Sequence, residues 1–250
     1  MNLLEFLMPD GMTGLTFGIL VMASFLSSLI TFVFGIGGGG LLLAIMAALV
    51  PPAALIPTHG VIQLSSNLGR VVIVFRHVFW PALPAFVVGS VFGAVLGGMV
   101  VVSLPPAWVQ ISIGAFVAWS VLGKTPTGLR RWPLAVGAVS SFLTMFFGAT
   151  GLFVAAFTKA QELGRHAHVS THAALMTVQH GLKTFVFGLL GFAFAPWLPF
   201  IVVMSVAGLL GSLIGSRFLN RIDDRRFRFC LDAVLLLLSI HLIYAGLTGL

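Results

Sequence analysis

Long apolar runs dominate this chain, separated by short polar or glycine-rich breaks. The runs fall near 13–34, 39–50, 57–76, 80–102, 107–123, 133–147, 151–159, 169–192, 197–217 and 227–248. They are continuous and do not alternate with polar residues, which predicts membrane helices rather than β-barrel strands. A hydrocarbon core of about 30 Å takes roughly 20 helical residues to cross. Two places hold shorter pieces. One is the run at 39–50, after Phe34-Gly35-Ile36-Gly37-Gly38-Gly39-Gly40; the other is the pair 133–147 and 151–159, joined at Gly148-Ala149-Thr150-Gly151. At 1.5 Å per residue, a run of twelve reaches only about 18 Å. These pieces are expected to be half-helices or re-entrant hairpins.

Composition narrows the class further. Of 250 residues, 59% are hydrophobic and 8% charged, where an ordinary soluble domain has roughly 25% charged. Six acids and 13 bases cannot cover a water-soluble globule of this size, so a soluble fold and a disordered chain are both excluded. The net charge of +7 does not imply nucleic acid, because the bases sit in short breaks between apolar runs. The single Cys230 excludes an internal disulfide and a cysteine-based metal cage. The N-terminus, Met1-Asn2-Leu3-Leu4-Glu5, has no basic leader, so the first run is expected to stay as a membrane segment. No cofactor is expected.

The bases also predict orientation. The breaks at 1–12, 51–56, 103–106, 193–199 and 249–250 contain no Lys or Arg. Ten bases fall in the other breaks: Arg76, Lys124, Arg130, Arg131, Lys159, Arg165, Arg217, Arg221, Arg225 and Arg226, with Arg228 directly after. Empty and loaded breaks alternate when each glycine hairpin returns to its own side. The loaded breaks are then cytoplasmic and both termini lie outside.

An offset of 113 aligns part of the chain with itself. Thr31, Phe34, Gly35 and Gly38 fall on Thr144, Phe147, Gly148 and Gly151; Thr58-His59 falls on Thr171-His172; Arg70 falls on Lys183. After a two-residue slip, Pro84, Ser90 and Gly93 fall on Pro199, Ser205 and Gly208. The expected fold is an all-α membrane protein, an inverted-topology repeat of two five-segment halves. Residues 1–124 form the first half, 125–132 a cytoplasmic linker and 133–250 the second half. Inverted repeats with broken helices are typical of secondary transporters, whose sites lie near the midplane.

The run after each hairpin carries a polar stripe. His59, Gln63, Ser66, Asn67 and Arg70 recur at helical spacing, as do His172, Gln179, His180 and Lys183, with Met176 where the glutamine would stand. A base at mid-membrane costs roughly 2.5–3.5 kcal/mol, so it should face a cavity or a partner. Glu162 and Asp232 are the only acids near membrane segments. A mobile anion would supply the missing charge; snorkelling of Arg70 and Lys183 to the cytoplasm is the alternative. The glycine turns fit the same idea, since a half-helix starting at glycine offers unpaired N–H groups to an anion. The expected substrate-binding set is Gly35, Gly37, Gly38, Gly39, Thr58, His59, Gln63, Asn67 and Arg70 in the first half. In the second half it is Gly148, Thr150, Gly151, Thr171, His172, Gln179, His180 and Lys183. Close helix packing would equally explain the glycines, and interhelical hydrogen bonds the histidines and Asn67.

The turn at Gly35-Ile36-Gly37-Gly38-Gly39-Gly40, its looser copy at Gly148 and the length together resemble the TauE/SafE sulfite-exporter family, also called TSUP. The resemblance implies a bacterial inner-membrane permease for sulfur-containing or organic anions, such as sulfite, thiosulfate or sulfonates. The chain departs from that pattern in three ways. Leu152 stands where the first motif has Gly39, no proline occurs from Leu41 to Ala48, and His59 and His172 occupy positions that the family tends to fill with small or hydroxyl residues.

The leading expectation is a proton-linked anion transporter, with a small anion and the lipid bilayer as partners and a homo-oligomer left open. His59 and His172 would bind substrate or carry the proton. A metal-cation transporter is a second reading, from the spacing of His166, His168 and His172. An intramembrane hydrolase using Thr150 and His180 is a third.

Overall fold

The computed structural model describes residues 3–101, 105–123, 132–148, 150–218 and 224–249. The linker expected at 125–132 lies outside the described residues except for Trp132, as do Lys124, Arg130, Arg131, Ala149 and Arg221. The side chains of Arg225, Arg226, Arg228 and Cys230 lie outside them too.

Among the described residues every regular element is helical. The order is α1 Leu3–Leu7, α2 Gly14–Phe34, α3 Gly38–Leu49, α4 Pro52–Val74, α5 Leu83–Val101 and α6 Pro106–Leu122. It continues with α7 Pro133–Phe147, α8 Gly151–Ala160, α9 Arg165–Leu189, α10 Leu198–Ser216 and α11 Asp224–Thr248. Gly14–Phe34, Trp80–Val101 and Ala195–Ser216 are long and apolar enough to cross a membrane. Leucine, valine and phenylalanine side chains along their outer faces, such as Leu15, Phe92 and Val202, are exposed. This suits contact with acyl chains. The chain is a multi-pass membrane protein.

The apolar runs locate the helices but not all of their ends. α1 forms inside the break expected at 1–12. α4 starts at Pro52, five residues before its expected start, because a proline at the first helical position costs no hydrogen bond. α9 starts at Arg165, drawing the polar sequence Arg165–His168 into the helix.

Both breaks are made by glycine. Gly35 (φ 78°), Gly37 (φ 104°) and Gly148 (φ 73°) adopt left-handed backbone that other residues avoid. Gly35 and Gly148 end α2 and α7 in the same way, their N–H groups donating to the carbonyls of Thr31 and Thr144. The pieces that follow, α3 with 12 residues and α8 with 10, reach only about 18 and 15 Å.

The largest contacts are α5 with α7, α2 with α10, α6 with α11, and α4 with α9. Glycines bring backbones together on three of these seams. A Cβ at Gly93 would strike the Ala138 carbonyl, one at Gly211 the Phe25 carbonyl, and one at Gly114 the Ser239 carbonyl. The helix-packing explanation for glycine thus holds at these positions. The α4–α9 seam is instead lined with polar groups.

Candidate functional site

On α4, His59, Gln63, Ser66, Asn67 and Arg70 are all buried, and on α9 so are His172, Gln179, His180 and Lys183. The two helices run oppositely, so His59, early in α4, meets Lys183, late in α9. Neither cation snorkels: Arg70 is 2% exposed and Lys183 0%.

The start of each short helix after a glycine break is held by one histidine. His59 Nε2–H donates to the Gly39 carbonyl and His172 Nε2–H to the Gly151 carbonyl, both at 3.2 Å. A carbonyl only accepts, so Nε2 carries the proton and Nδ1 is the acceptor of the neutral ring. Lys183 Nζ donates to the Gly148 carbonyl at 3.0 Å and lies 3.5 Å from His59 Nδ1. Arg70 Nη2 donates to Asn67 Oδ1 at 2.6 Å, and Asn67 Nδ2 donates to the Gln63 carbonyl at 2.7 Å. Nε and Nη1 of Arg70 have no hydrogen-bond partner among the described residues. The same is true of His172 Nδ1 and of both ring nitrogens of His180, whose ring stands edge-on to His59 at 5.9 Å.

Thr150 ties the second break in place. It accepts from Gln179 Nε2 at 2.7 Å and donates to the Ser140 carbonyl at 2.9 Å. Thr171 accepts the Phe79 N–H at 2.9 Å, and Thr58 donates to the Ala54 carbonyl of its own helix.

A cavity of about 190 Å³ lies between the two glycine breaks. Of the expected site residues, Gly37, Gly39, Gln63, Asn67, Arg70, Gly151, His172 and His180 line it. Gly35, Gly38, Thr58, His59, Gly148, Thr150, Thr171, Gln179 and Lys183 do not; they build the turns and seams behind it. Gly38 allows α3 to sit against the Ser27 carbonyl, where a Cβ would collide. The N–H groups of the first α3 residues have no partner within the helix, and Gly39 and Gly40 face the cavity.

A model of the sulfite exporter TauE/SafE family matches residues 19–242. The chain belongs to this family. No curated protein matches it. No solved structure matches it either. The match runs from within α2 to within α11, so this TauE/SafE chain carries both glycine breaks and both polar stripes inside the matched region.

Sequence reasoning missed several residues of the TauE/SafE cavity. Thr31, Phe34, Ile36, Leu152 and Met176 complete its walls near the breaks, and Val121, Leu235 and Asp232 come from α6 and α11. Asp232 is exposed, which marks where the cavity opens. A lone acid within an apolar run was the available signal for it. The other readings find less support in the geometry. Among the described residues no three His, Cys, Asp or Glu side chains form a metal-holding group. The His166 ring instead lies 5.2 Å from that of His77. Thr150 bonds to Gln179 and Ser140, not to His180.

Proposed function

We propose that the chain is a secondary transporter that moves a small sulfur-containing or organic anion, such as sulfite or a sulfonate, through the cavity by alternating access. One observation carries the reading: a buried guanidinium lines the cavity with two of its nitrogens unpartnered. A buried charge in that condition is costly unless a ligand completes it. The glycine-borne N–H groups of α3 add donors beside it. The family name supplies sulfite as the first substrate to try.

The halves 1–124 and 133–250 act as inverted repeats in this reading. Support comes from the pairing of α2 with α10 and of α5 with α7, which are equivalent contacts under the 113-residue offset. The cavity lies toward the ends where α4 and α6 finish and α9 and α11 begin. Arg76, Lys159 and Arg165 share that end, so by the positive-inside rule the cavity faces the cytoplasm. The termini then lie outside a bacterial inner membrane. His180, in the lining with both ring nitrogens unpartnered, is the group available to couple a proton.

Liposomes carrying the purified chain should take up labelled sulfite or an organic sulfonate. Arg70→Ala should reduce anion affinity about a hundredfold, as loss of one partner from a buried charged contact costs about 3 kcal/mol. Absence of flux for every anion in a panel, with correctly folded protein, would remove the proposal.

A further inference from the structure

The two cation–histidine pairs related by the 113-residue offset differ in one respect. In the Lys183–His59 pair, the ammonium lies 3.5 Å from Nδ1, a donor against an acceptor. In the Arg70–His172 pair, both side chains line the cavity and neither hydrogen-bonds the other. Three buried atoms there lack partners among the described residues: Nε and Nη1 of Arg70, and Nδ1 of His172. Both side chains nonetheless border the same cavity.

The hydrogen-bonding character of that space follows from its walls. Arg70 only donates. The Nε2–H of His172 is committed to the Gly151 carbonyl, so Nδ1 only accepts. A guest bridging the two must therefore present an acceptor to Arg70 and a donor to His172. A fully deprotonated anion satisfies the first and sets a lone pair against the lone pair of Nδ1. His180, with both ring nitrogens unpartnered, offers one donor and one acceptor in either neutral tautomer and does not discriminate.

We infer that the cavity selects a monoanionic oxyanion that retains one O–H, its charged oxygen on Arg70 and its hydroxyl donating to His172 Nδ1. The inference rests on the anion reading above and narrows its substrate class.

Methanesulfonate and the methylphosphonate monoanion test it, since both are tetrahedral, singly charged and carry one methyl group, and only the phosphonate has an O–H. Binding to the detergent-solubilised full chain is measured by calorimetry at a pH where methylphosphonate keeps that proton. Methylphosphonate should bind about tenfold more tightly, the worth of one well-made hydrogen bond. His172→Asn, which can present a carboxamide oxygen near the Nδ1 position, should keep the preference. His172→Leu should bring the two anions within about twofold. Equal or tighter binding of methanesulfonate by the unmodified chain would overturn the inference and leave the anion reading standing. Binding of neither would overturn both.

Discussion

Residues that look equivalent along the chain take different work in the fold. Arg70 and Lys183 share a repeat position, yet one opens on the cavity and the other is spent on the Gly148 carbonyl. Thr150 stands at a break and looks like a ligand or nucleophile; it is a clamp, with Gln179 and Ser140 as its partners. Thr150→Val keeps the volume, leaves the buried Gln179 Nε2–H without its acceptor and removes the extra bond to the Ser140 carbonyl. It should cost about 1–3 kcal/mol, seen as a fall in Tm of several degrees in detergent. An unchanged Tm would show that the clamp contributes nothing. The polar stripes were legible because His, Gln, Asn and Arg at helical spacing stand out against leucine and valine. Which of them reach the cavity was not legible, because that depends on how α4 and α9 rotate against each other. The apolar wall residues Val121 and Leu235 carry no mark in the sequence at all.

At the scale of elements, the apolar runs located the membrane helices, and glycine clusters located both breaks. The ends were less visible: Pro52 and Arg165 begin helices in stretches whose polarity or proline content reads as loop. Glycine has two uses that sequence alone does not separate. Gly35, Gly37 and Gly148 supply left-handed turns, while Gly93, Gly211 and Gly114 let helices touch along their backbones. Gly93→Val should therefore destabilise the α5–α7 seam by at least about 2 kcal/mol, since its Cβ meets a carbonyl that cannot move aside. Gly18→Ala, where nothing lies within 4 Å of the new Cβ, should be neutral or stabilise α2 by about 0.5–1 kcal/mol. Parallel thermal melts of the two variants check this; equal effects would deny the seam its role.

For the whole molecule, the expected sidedness can be read from outside. In a Cys230→Ser background, Asp10→Cys should react with a membrane-impermeant maleimide on intact cells, and Arg76→Cys and Arg217→Cys only after permeabilisation. The opposite pattern would reverse the orientation and turn the cavity outward. The shared Thr-His pair is the sequence basis for expecting an inverted arrangement, whereas the interleaving of the helices was not legible, because no periodicity encodes which helix another will choose. That interleaving reaches back to the four largest helix contacts, each of which pairs one helix before residue 124 with one after residue 132. A chain cut short at residue 124 would leave α2, α4, α5 and α6 without their mates. Its exposed glycine-lined carbonyls and the Arg70 guanidinium would face oil. Each fragment, made alone, would keep only its smaller contacts, such as α2 with α3 or α8 with α9, so each stretch is in effect the other's folding template.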